Sequence, residues 1–287
     1  MRGDRAERPE PRTEAERRAA EVRATRGPRR TEITPETERA KIEAREIEEW
    51  VDEGSLRDEA AAATARAAGG ARRERGDAQI DPEVVAQIHA TLDPTRAKRL
   101  SERLAMASQA LDRERFDESR RITYALAKEL PAVAAVHEVH GLACYRMGRW
   151  KQAAESLELA RQLRPDPALL PALADCYRAL RRWADVESVW SDLKSASPTH
   201  EVMTEGRIVA ACAQADRGDV KGAIKLLMAS EKAPKKVRVH HLRQWYVLGD
   251  LHDRVGDAVA ASRWFREVQS YDADFADVRE RLRALGR

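Results

Sequence analysis

The chain has 287 residues, with 52 Lys and Arg against 49 Asp and Glu, so its formal charge is +3. That length holds one or two domains with a sizeable core, and no apolar run reaches the ~18 residues that a membrane span requires. The opening Met1-Arg2-Gly3-Asp4-Arg5 is charged and lacks the apolar segment of a secretory signal, and Cys144, Cys176 and Cys212 fit neither a disulfide framework nor a zinc pattern. A reducing, cytoplasmic setting is expected.

Charge is unevenly laid out. Residues 1–30 hold ten basic and six acidic groups, whereas residues 31–60 hold four and eleven, a net of −7. Arg outnumbers Lys by 42 to 10 along the whole chain, as GC-rich codons would produce, so the Arg excess alone does not indicate a nucleic-acid partner. Of the aromatic residues only Trp50 precedes position 116. A segment so poor in large apolar groups cannot offset its ordering entropy, and residues 1–33 are expected to be a disordered tail. Thr34-Pro35 supplies a helix start and Gly54 a stop, with Ala40, Ala44, Ile47, Trp50 and Val51 at helical spacing between them. An acidic amphipathic helix is therefore expected over 34–54 and a linker over 55–80.

From residue 81 to 287 the pattern is helical throughout, and no alternating β-branched run appears. Asp81-Pro82 and Asp93-Pro94 each pair a capping residue with proline at the first helical position, predicting helices over 82–92 and 94–113. Gly148, Gly218 and Gly256 fit tight helix–helix turns that need positive φ. After them, Phe275, Val278, Leu282 and Leu285 make an apolar stripe on a charged C-terminal capping helix. The fold class read from this is all-α.

A period is visible. Pro131, Pro165, Pro198 and Pro234 are separated by 34, 33 and 36 residues, and Phe116, Trp150 and Trp183 by 34 and 33. Repeats of this length are helical hairpins that bury their apolar faces only by stacking. In the last unit Trp245, Leu248, Gly249, Ala261 and Phe265 follow a W-x2-L-G … A-x3-F pattern, with His252 and Ala273 as departures. An earlier unit has Gly141, Gly148, Trp150, Ala153 and Pro165, and another Leu173, Ala174, Tyr177, Trp190 and Pro198. Two degenerate units keep Ser119 and Ala223 as small residues. Over roughly residues 95–287 the chain resembles the tetratricopeptide repeat (TPR) family. The resemblance implies a right-handed helical-hairpin solenoid of about five units over 81–287, begun by the helices 82–92 and 94–113, whose first helices line a concave groove that holds a protein or peptide, or a second copy of the chain.

Candidate chemistry is sparse. His137-Glu138-Val139-His140 places its imidazoles at i and i+3, not the i and i+4 of a zinc protease, and both occupy packing positions of the repeat. The cysteines fall on successive first helices and read as small buried apolar groups. P-loop, dinucleotide and G-x-S-x-G motifs are absent, so neither catalysis nor a metal or cofactor is expected. By the resemblance, the groove wall carries Glu138, Leu142, Tyr145, Arg146, Asp175, Arg178, Arg243, Tyr246, Asp250, Asp253 and Arg254. The Asn positions of a chaperone-binding carboxylate clamp hold Leu142, Asp175, Cys212 and Asp250 instead, which argues against that role. A basic patch runs over 221–243, where Lys221, Lys225, Lys232, Lys235, Lys236, Arg238 and Arg243 face only Glu231, a net of +6, with His240 and His241 adjoining. It suits RNA, an acidic partner, or the chain's own 31–60 segment. The expected role is a non-catalytic scaffold for protein–protein interaction, with an RNA- or ribosome-associated protein as the alternative.

Overall fold

The computed structural model describes residues 80–229, 234 and 236–286. The expected tail, acidic helix and linker, together with Lys232 and Lys235, lie outside the described residues. Within them the chain is all-helical: α1 (Pro82–Thr91), α2 (Pro94–Asp112), α3 (Phe116–Glu129), α4 (Ala134–Arg146), α5 (Trp150–Leu163), α6 (Leu170–Ala179), α7 (Trp183–Ala196), α8 (His200–Asp216), α9 (Val220–Met228), α10 (Val239–Arg254), α11 (Ala258–Tyr271) and α12 (Val278–Ala284). None of these is long and apolar enough to cross a membrane.

The helix boundaries follow from local chemistry. Asp81 and Asp93 accept hydrogen bonds from the backbone N–H groups of Glu83 (2.9 Å) and Arg96 (3.0 Å), each followed by proline at the first helical position. Such caps satisfy donors that a helix start leaves unpaired. Pro131, Pro165 and Pro198 each stand two residues beyond the ends of α3, α5 and α7. Phe275 precedes α12, and it is buried with Val278 and Leu282 against α10 and α11.

Five hairpin turns share one backbone design. Residues Glu114, Gly148, Arg181, Gly218 and Gly256 all have positive φ (61°, 68°, 55°, 94° and 80°), and each stands two residues before the next helix. At each turn the following N–H reaches back five residues: Arg115 to Ala110 O, Arg149 to Cys144 O, Arg182 to Tyr177 O, Asp219 to Gln214 O and Asp257 to His252 O, at 2.8–3.0 Å. This double-bonded ending satisfies carbonyls that the helix end would orphan. Glycine adopts it freely, whereas Glu114 and Arg181 carry a Cβ into the left-handed region. Arg181 is exposed, so Arg181→Gly is expected to stabilise the chain by about 0.5–1 kcal/mol in urea unfolding; a loss of stability would contradict the strain.

Packing follows chain order. Each hairpin (α2–α3, α4–α5, α6–α7, α8–α9 and α10–α11) packs through its second helix on the next unit, α12 closes against α11, and the first helices α4, α6, α8 and α10 also touch in succession. Small residues set the spacing inside hairpins. A Cβ on Gly141 would lie 2.7 Å from Leu157 Cγ, and one on Gly249 would lie 2.7 Å from Phe265 Cε1. Three buried clusters follow one another in chain order, the first joining α1–α4, the second α4–α8 and the third α8–α12.

Candidate functional site

The row of first helices carries the residues assigned to a groove, and the structure ties most of them together. Tyr145 on α4 donates its hydroxyl to Asp175 Oδ2 on α6 (2.8 Å). Asp175 Oδ1 accepts from Arg178 Nε (2.7 Å), and Arg178 reaches on to Asp216 of α8 (2.7 Å). Glu205 of α8 pairs with Arg243 of α10 at 2.8 Å. Asp250 of α10 is held by Arg254 (2.7 Å) and by Arg281 of α12, while the Tyr246 hydroxyl donates to Asp277. The result is a polar ladder from α4 to α12 with a tie at every step between first helices.

These ties are internal. Tyr145, Asp175, Arg243 and Tyr246 are 2%, 3%, 4% and 1% exposed, and Arg178 and Asp250 are also buried. Leu142 is part of the apolar core. Burial, then the neighbouring Asp175 carboxylate, holds the Tyr145 phenol well above its ordinary pKa. Burial and the Asp277 bond do the same for Tyr246. Both tyrosines therefore act as neutral hydroxyl donors. Burial likewise raises the Glu138 carboxyl, against the pull of Arg164, which stands 3.4 Å away. Arg146 stacks over Phe116 (4.4 Å) and approaches Glu114 (3.5 Å). Solvent reaches Glu138 and Arg146 in part, and Asp253 and Arg254 more fully.

The basic stretch differs in character. Lys221, Lys225, Lys236 and Arg238 are exposed, and among the described residues none of the four forms an ion pair with a carboxylate. They flank the connection between α9 and α10, within which Lys232 and Lys235 lie outside the described residues.

His137 and His140 hold separate hydrogen bonds. His137 Nε2 meets Pro131 O (2.8 Å), while His140 Nδ1 meets Thr123 Oγ1 (2.9 Å) and its Nε2 stands 3.6 Å from Cys144 Sγ. Burial, reinforced by Arg120, lowers the His140 pKa below its ordinary 6.5. The unfolded chain then binds the proton more readily, so this contribution to stability is complete above pH 6.5 and declines as pH falls through the window below it. Urea unfolding at pH 7.5 and pH 5 should show a smaller acid loss for His140→Gln than for the unsubstituted chain; equal losses would contradict the shift. The thiols are free, and burial lifts that of Cys212 to about 12, far from the reactive thiolate range.

One grouping escaped the sequence reading. His200, which opens α8, meets His240 and His241 in the first turn of α10. Only the adjacency of His240 and His241 was visible in the sequence; His200 lies forty residues upstream and joins them through stacking of successive first helices.

No protein-family model matches the chain, and a search of curated proteins finds no match.

Proposed function

We propose that residues 94–286 form a TPR-like, right-handed solenoid that serves as a non-catalytic scaffold, holding a protein or peptide partner along its row of first helices. The observation that carries this reading is the repeated turn: five hairpins end their first helices with the same backbone hydrogen bonds and left-handed residue. A repeated hairpin offers an extended surface rather than an enclosed site. The buried ladder makes that surface rigid, which lowers the ordering cost of binding. Contact with a partner falls to the solvent-reached members Glu138, Arg146, Asp253 and Arg254, while Tyr145, Asp175, Arg178, Arg243, Tyr246 and Asp250 hold the wall in shape. The free thiols accord with a reducing, cytoplasmic setting.

A second reading has its own observation. The exposed cations Lys221, Lys225, Lys236 and Arg238 lack acidic partners among the described residues, as a phosphate-binding surface would require. Under it the chain is RNA- or ribosome-associated.

Photo-crosslinking separates the two. A crosslinker at Glu138, Asp253 or Arg254 should yield discrete protein adducts in cell extract, and one at Leu159 or Val259 on the second helices should not. Nuclease-sensitive adducts from Lys221 and Lys225, with nothing from the first-helix row, would overturn the scaffold in favour of the RNA reading.

A further inference from the structure

We propose that His200, His240 and His241 form a transition-metal site, in which three neutral imidazoles hold one Zn2+-class ion and leave its remaining position open. The sequence offers none of the usual short-range ligand spacing. The site arises because α8 and α10 stack as successive first helices, which brings the start of one against the start of the other.

The spacing suits such an ion. With Zn–N bonds of about 2.0–2.1 Å in a tetrahedral arrangement, ligand nitrogens stand about 3.3–3.4 Å apart. His200 Nδ1 and His240 Nε2 are 3.3 Å apart, which matches one edge of that tetrahedron. One nitrogen from each ring lies within 4.8 Å of the other two, so the two edges to His241 close by side-chain rotation. Of the ring pairs, His200–His240 (5.3 Å between centroids) and His200–His241 (5.7 Å) already diverge as ligands do, while His240–His241 (4.0 Å) must open. Imidazole ligands suit Zn2+, Cu2+ and Ni2+ rather than Mg2+ or Ca2+. His200 is exposed, so the open position faces water.

His240 is the anchor. It is 3% exposed, and its Nδ1 has no hydrogen-bond partner. Ligation through Nε2, the atom 3.3 Å from His200 Nδ1, places the ring proton on this Nδ1. Two features oppose the ion. Arg238 and Arg243 are nearby cations, although Glu205 offsets Arg243 at 2.8 Å. His241 Nδ1 also accepts from the Arg238 backbone N–H (3.0 Å). Ligation through either nitrogen ends that bond, because Nδ1 must then bind the ion or carry the proton. Metal binding thus exchanges a helix-cap hydrogen bond for a coordinate bond and leaves a signature on the Arg238 amide.

The test is a titration of the full chain, stripped with chelator and reduced, with Zn2+ against a chromogenic chelator at pH 7.5. One ion per chain is expected. Because even indirect partners of a metal ligand change affinity by about 10–100-fold, His200→Ala and His241→Ala should each weaken binding by at least about tenfold. The exposed control His89→Ala should leave it unchanged, and Arg238→Gln should strengthen it. His200→Ala removes an exposed side chain, so it reports on the site even if a substitution at buried His240 disturbs folding. The Arg238 amide resonance should move on Zn2+ addition in the unsubstituted chain and in His89→Ala, but not in His200→Ala or His241→Ala. Zn2+ uptake that is equal in His200→Ala and His241→Ala, whether through thiols or scattered histidines, or an absence of stoichiometric binding, overturns the site.

Discussion

Arg243→Ala is expected to lower the unfolding free energy by about 3–5 kcal/mol, because it strips Glu205 of the guanidinium that stands 2.8 Å away in a buried setting. A carboxylate taken out of water without its partner keeps its desolvation cost and loses the attraction that offset it. The same logic gives a second, opposite expectation. Replacing both members in Glu205→Leu/Arg243→Leu should recover most of the loss, since a buried ion pair is worth little against apolar side chains of similar volume. Urea unfolding followed by circular dichroism checks both. A loss below about 1 kcal/mol for Arg243→Ala is what a solvated surface pair would give, and would mean that the ladder is not buried in solution.

Gly249→Val should cost about 2–3 kcal/mol, toward the upper end for overpacking a core. The new Cβ would lie 2.7, 2.9 and 3.0 Å from three atoms of the Phe265 ring, which is fully buried and in contact with Tyr246. A rigid ring in that position cannot swing away as the end of a Leu or Met could, so α10 and α11 must separate. Thermal melting of Gly249→Ala and Gly249→Val should show a graded fall. Unchanged midpoints would mean that the two helices do not approach so closely.

Helix boundaries were legible in the sequence because they are set locally. Asp81-Pro82 and Asp93-Pro94 cap and start α1 and α2 where a cap and a proline dictate, and Gly148, Gly218 and Gly256 turn where positive φ is required. The same turn at Glu114 and Arg181 was hidden, since those residues accept a strained backbone that the surrounding hydrogen bonds enforce. Gly206 was passed over as well; a Cβ there would meet Leu193 of α7 and not a residue of its own hairpin. The largest gap concerns the groove wall. The resemblance placed Tyr145, Asp175, Arg178, Arg243 and Asp250 on one row, but their partners Asp216, Glu205 and Arg281 sit on neighbouring units, 31–38 residues away. Periodicity shows which face a side chain shares, and only the stacking distance decides whether a charge on that face meets water or an opposite charge. His200, His240 and His241 met for the same reason.

The proposed solenoid predicts how a local injury spreads, because in it each unit depends on its neighbours and little else. Amide hydrogen exchange on Arg243→Ala under native conditions tests this most directly. Protection should fall most in α8 and α10, less in α6 and α12, and remain near that of the unsubstituted chain in α2 and α3. An equal loss of protection from α2 to α12 would contradict the array and indicate a single core that opens as one.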